Sequence, residues 1–204
     1  MARTTSVITN TLTLLSLSNA SRGRSLSFLF TIGLASYLSL YPLFIFPGLC
    51  ILCYSCQASP SRPSVFALSH FTGLAIIIGG LLYGSTVLTG STQFLWSTYG
   101  THLLLPDLTP NVGLWWYFFI EMFDSFRNFF LSVFWLHMTS YIGGITIRLQ
   151  KQPLFACTAL MGILSVFKPY PSVADSALFL GLIPLFRHVF PCKPITLNLS
   201  LYNC

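Results

Sequence analysis

The side chains able to do chemistry in this chain are few, and they cluster. Three of its four acidic residues, Asp107, Glu121 and Asp124, lie within residues 106–130, and the fourth is Asp175. Such carboxylates can act as general bases, cation ligands or helix caps, and inside a membrane they are costly unless paired. With Glu121 at the origin of a helical wheel, Tyr117, Asp124, Asn128, Ser132, Trp135 and Thr139 fall within about 60° of it. The expectation is one helix over 113–141 with a polar face along its length. At roughly 45 Å it would exceed a hydrocarbon core of about 30 Å, so its start would lie outside the lipid, with Trp115 and Trp116 in the interfacial aromatic belt. Pro110 suits the first helical position after a Thr109 cap, which would offer free N–H groups to a phosphate, while Asp107 and Glu121 could accept from an ammonium. The competing reading is that Asp107 closes an Asx turn and Glu121 pairs with a basic residue on a neighbouring helix.

Other chemistries lack their residue patterns. His70, His102, His137 and His188 form neither H-x-x-H nor H-E-x-x-H, so a metal site is not expected. Cys50, Cys53 and Cys56 resemble part of an iron–sulfur run but lack its fourth cysteine followed by proline. No P-loop, dinucleotide fingerprint or G-x-S-x-G elbow is present, and no cofactor is expected.

The elements that must position these residues are read from composition. The chain has 204 residues, 54% hydrophobic and 7% charged, and a mean hydropathy of +0.74. Soluble domains carry about 25% charged residues, so this is a membrane protein, and its helix-length apolar runs make it an all-α, polytopic helical bundle with short or re-entrant helices. The net charge of +6 comes from singly scattered Lys and Arg, with no basic patch for nucleic acid.

Along the chain, residues 1–24 are Ser/Thr-rich and read as a weakly ordered or divergent segment containing a sequon at Asn19-Ala20-Ser21. Residues 26–53 read as one span kinked at Pro42 and Pro47, and residues 65–88 as a second, Gly-rich span. The stretch 93–105 is too short to cross. Two further short segments, 153–167 and 175–190, are joined by the polar loop KPYPSVAD, in which Ser172 and Asp175 form a capping box with Asp in place of Glu. Such a loop can sit at membrane depth only inside protein or beside a wet cavity, and Lys168 would pair with Asp175 or Glu121. Placing Arg148, Lys151 and Arg62 on the cytoplasmic side leaves Arg22 and Arg24 on the wrong one. Residues 191–204 read as a divergent tail.

Four strings are more specific: SLYPL at 39–43, PDLTPN at 106–111, GLWWYFFIEMF at 113–123 and FKPYPSVADSAL at 167–178. Together, in this order, they resemble the class U subunit family of the glycosylphosphatidylinositol (GPI) transamidase, over roughly residues 25–190. The resemblance implies a multi-pass endoplasmic-reticulum membrane protein, non-catalytic itself, that helps recognise the GPI lipid or the attachment signal. Its implied partners are the other transamidase subunits, including the cysteine-protease-like catalytic one. That family also looks similar to the membrane domains of lipid-linked mannosyltransferases, so a lumen-facing glycosyltransferase acting through Asp107 or Glu121 is the alternative. Family members carry further helices before Thr31 and after Phe190, which implies a fragment or truncated form here. Combining both lines, the candidate lipid-binding residues are Asp107, Thr109, Asn111, Tyr117, Glu121, Asp124, Lys168 and Asp175.

Overall fold

The computed structural model of the chain describes residues 5–57, 62–104 and 110–187, and every element among them is helical. Helix α1 spans Ser6–Ser21. Its hydroxyls fold back on its own carbonyls: Thr9 to Thr5, Thr13 to Thr9 and Ser16 to Thr13, at 2.7–3.1 Å. Each polar group is thereby satisfied locally, and Thr9, Thr13 and Ser16 are buried. The turn after α1 requires glycine: Gly23 has φ +68°, and a Cβ there would sit 2.9 Å from the Cys56 carbonyl oxygen.

Residues 25–55 do not form one kinked span. Helix α2, Ser25–Leu38, ends at the extended residue Ser39; a 3-10 turn, Tyr41–Ile45, and helix α3, Phe46–Ser55, then run back. The reason lies in where the prolines fall. Pro42 and Pro47 occupy first-turn positions of the new elements, where no N–H is needed, so they start helices instead of bending an old one. The return is fixed by Gln57 Nε2 donating to Ser25 Oγ at 3.1 Å and by Cys53 Sγ lying 3.6 Å from the same hydroxyl.

Helix α4, Pro63–Thr89, stops at Gly90 in the left-handed conformation. Helices α5, Gln93–Leu95, and α6, Thr101–Leu104, flank a π turn at Trp96–Gly100, all too short to cross lipid. Helix α7, Leu114–Ile120, and helix α8, Asp124–Arg148, replace the expected continuous helix. The chain breaks at Glu121–Phe123, with Phe123 extended, because α7 folds back along α8: Trp115 and Phe118 pack on Phe134 at 4.9 and 5.0 Å, and Trp115 on Trp135 at 5.6 Å. Trp115 is fully buried, not interfacial, and its indole N–H donates to the Phe167 carbonyl. A straight helix would leave that aromatic face without its partners.

Helices α9, Pro153–Phe167, and α10, Val173–Leu182, form a second hairpin. It packs antiparallel to α3: Lys168 sits over the Tyr41 ring at 4.8 Å, and Cys157 abuts Gly48. That register brings the residues around 148–153 to the end of α3 that holds Gln57. Arg22, Arg24, Arg62, Arg148 and Lys151 therefore share one end of the bundle, and the misfit of Arg22 and Arg24 disappears with the return of α3.

Helices α4 and α8 are long and apolar enough to cross a membrane, and little of either is buried inside the protein. Side chains such as Ile76 (74% exposed) and Leu88 (88%) face outward. Apolar surface of this extent calls for lipid around it. α2 and α9 would be about 21–23 Å long, short of the roughly 30 Å hydrocarbon core.

Candidate functional site

The tips of both hairpins meet the first turns of α1 and enclose a cavity of about 320 Å³. The α9–α10 loop contributes Lys168, Tyr170, Ser172 and Asp175; the α2–α3 tip contributes Ser39, Tyr41 and Pro42; α1 contributes Thr5, Thr9, Asn10 and Thr13; and His102 enters from α6. The expected capping box is present. Asp175 is the third residue of α10, and its Oδ2 accepts from Ser172 N–H at 3.0 Å and from Ser172 Oγ–H at 2.8 Å. Lys168 Nζ donates to the same oxygen at 3.1 Å, so of the two pairings expected for Lys168 the structure has the one with Asp175. The two side chains are only 15% and 14% exposed. All three donors converge on Oδ2, and Oδ1 has no donor among the described residues.

Lys168 is held from the other side by the Tyr41 ring. Tyr41 Oη lies 3.4 Å from His102 Nδ1, and His102 meets the Tyr41 and Tyr170 rings edge-on at 5.7 and 5.9 Å. Burial, and then the nearby Lys168 charge, push the His102 pKa below its ordinary value, so the imidazole stays neutral at pH 7. The cavity thus carries one internally balanced ion pair.

Of the other sequence-predicted residues, Asn111 and Tyr117 line a second, shallower groove of about 770 Å³ on the far side of the same loop, sharing Ser165 and Ser172 with the cavity. The Asn111 side-chain oxygen accepts from the Gly113 N–H at 2.7 Å, so the chain turns there and the helix starts at Leu114. Pro110 is not its first residue, and a seven-residue helix beginning at Leu114 offers no phosphate site of the kind expected at Pro110. Glu121 and Asp124 are exposed at the α7–α8 break and line neither the cavity nor the groove. Asp107 and Thr109 lie outside the described residues. The sequence therefore brings together Lys168 with Asp175, and Asn111 with Tyr117, but not the acidic stripe.

Sequence reasoning missed Tyr41, His102, Tyr170 and the hydroxyls of α1. One signal was present: Thr5, Thr9 and Thr13 recur every four residues and so share a helix face. For His102 there was none, since its neighbours Tyr41, Lys168 and Tyr170 are all more than 60 residues away in the chain.

Comparison with known proteins follows the same lines. The family described as GPI transamidase subunit PIG-U matches residues 1–202. The chain is similar to the GPI-anchor transamidase component PIGU of Mus musculus, 35% identical over 199 residues that make up 93% of this chain and 45% of the relative. It is also similar to the GPI transamidase component GAB1 of Saccharomyces cerevisiae, 37% identical over 161 residues, or 78% and 39% of the two chains. A GAB1 homolog of Schizosaccharomyces pombe is 40% identical over 147 residues, 72% and 35%. The chain thus spans less than half the length of these relatives.

Proposed function

This chain belongs to the GPI transamidase subunit PIG-U family, and on that premise we propose that it is a non-catalytic, multi-pass subunit of the GPI transamidase complex in the endoplasmic-reticulum membrane. Its role is to help recognise the GPI lipid or the attachment signal, beside the subunit that carries the catalytic cysteine. The observation that carries this reading is the cavity at the hairpin tips: a walled, partly polar space built from helices too short to span the bilayer, suited to holding a lipid-linked group. A recognition role also fits the placing of the thiols. Among the described residues, Cys50, Cys53 and Cys157 are buried in apolar helices and Cys56 is exposed, and none of the four lines the cavity or the groove.

Asp107, Thr109, Asn111, Tyr117, Glu121 and Asp124 are proposed as an outer contact region along 107–124, with Lys168 and Asp175 inside the cavity. The test is co-purification of the tagged chain from detergent extract. We expect the catalytic transamidase subunit to accompany it, and the complex carrying Asp175→Asn with Lys168→Met to retain less GPI. Absence of the catalytic subunit, or transfer of mannose from a lipid-linked donor by this chain alone in vesicles, overturns the reading.

A further inference from the structure

We propose that the cavity between the two hairpin tips is a binding site for a neutral sugar, a pyranose ring presenting adjacent hydroxyl groups. The inference deepens the reading above and rests on it: of the parts of a glycosylphosphatidylinositol, it assigns the glycosyl part to this cavity.

Charge comes first. A phosphate entering the cavity would meet Lys168 already neutralised by Asp175 at 3.1 Å, with the carboxylate beside it. An ammonium would meet Lys168 in the same place. Neither ion gains a net opposite charge, and each is repelled by half of the pair. The neutral state of His102 adds no positive charge.

A polyol reads the same pair differently. The engaged oxygen of Asp175 is Oδ2, which leaves Oδ1 to accept from one hydroxyl. The Lys168 ammonium has three N–H groups, of which one is directed to Asp175, so it can donate to a neighbouring hydroxyl oxygen. An acceptor and a donor a few ångströms apart match two adjacent hydroxyls, and both bonds are charge-assisted.

The remaining walls supply the other half of sugar recognition. The Tyr170 ring lines the cavity and can receive the apolar C–H face of a pyranose on its negative ring face, while the buried Tyr41, whose ring carries Lys168, closes the wall beside it. Thr9, Thr13 and Ser165 already donate their hydroxyl hydrogens to backbone carbonyls, so each presents only acceptor capacity inward. The Asn10 amide lines the same wall and offers both a donor and an acceptor. A space of about 320 Å³ lies at the small end of the range for ligand pockets and is large enough for one sugar ring.

The test uses the purified chain in detergent and a diazirine-bearing methyl mannoside, with labelled peptides identified by mass spectrometry. We expect labelling on the peptides that contain Tyr41 and Tyr170. An excess of unmodified methyl mannoside should reduce it at least fivefold, whereas inorganic phosphate and ethanolamine should leave it unchanged. The variant combining Lys168→Met with Asp175→Asn, and separately Asn10→Ala, should each lose labelling at least fivefold while keeping a cooperative thermal transition. Asn10 lies outside the ion pair, so the second variant still decides the matter if the first fails to fold. Labelling that phosphate displaces, that is spread over the surface, or that survives Asn10→Ala overturns the proposal. A chain that co-purifies with the transamidase yet is not labelled refutes the sugar site alone; a labelled chain that never co-purifies refutes the subunit reading alone.

Discussion

Lys168 makes contacts in two directions at once, an ion pair with Asp175 and a seat over the Tyr41 ring, and it thereby ties one hairpin tip to the other. Replacing it with Met keeps the stem and removes the charge, which orphans a carboxylate that is only 14% exposed. Orphaning a buried charge costs about 3–5 kcal/mol; at the lower end, the unfolding midpoint in detergent should fall by roughly 6–12 °C. Adding Asp175→Asn should recover most of that loss, because no charge is left unpaired and the amide oxygen can still accept from Ser172 N–H. No recovery would mean that Lys168 acts through its packing on Tyr41. At this scale the sequence was informative where partners are close along the chain. Ser172 and Asp175 are three residues apart, so spacing suggested the cap, whereas Lys168 and Asp175 as the charges of one loop suggested a pairing that left Glu121 as the other candidate partner. Tyr41 and His102 are 61 residues apart, and nothing local could pair them.

Helix α4 shows why element identity was easier to read than element packing. Its composition marked a Gly-rich span, but the close approach to α2 rests on a glycine of the other helix. The meeting of α2 and α4 depends on Gly33, where a Cβ would come within 2.6 Å of Ile77 Cγ2, a branched side chain with little rotamer freedom in a helix. Gly79, Gly80 and Gly84 meet nothing within 4 Å. Gly33→Ala should therefore destabilise the fold by about 1–3 kcal/mol through overpacking, while Gly79→Ala should leave the thermal midpoint unchanged or slightly raised. Equal effects of the two changes would show that α2 and α4 do not rely on this contact. The same limit explains the two misread spans. Periodicity sees a helix face but not a chain reversal, so the Glu121 stripe looked continuous across a break whose cause is the packing of Trp115 on Phe134 and Trp135, nineteen and twenty residues further along the chain.

Across the whole molecule, the hairpin of α2 and α3 sets the sidedness of everything before it. With the basic end held in the cytoplasm, the sequon at Asn19 lies on the cytoplasmic side and should remain unglycosylated in microsomes, whereas an acceptor introduced at Ser91, after the end of α4, should be modified. Modification at Asn19 but not at Ser91 would invert the arrangement. The hairpins also bear on how such a chain enters the bilayer during synthesis. A segment that goes in and comes back carries only its tip inward, and Arg22 and Arg24 never have to be moved through hydrocarbon. For the first hairpin the cargo is Ser39, Leu40 and Tyr41, which is uncharged. The second hairpin must take in Lys168, yet Asp175 travels in the same loop and its helix cap forms locally, so the cargo is neutralised without a partner from any other helix.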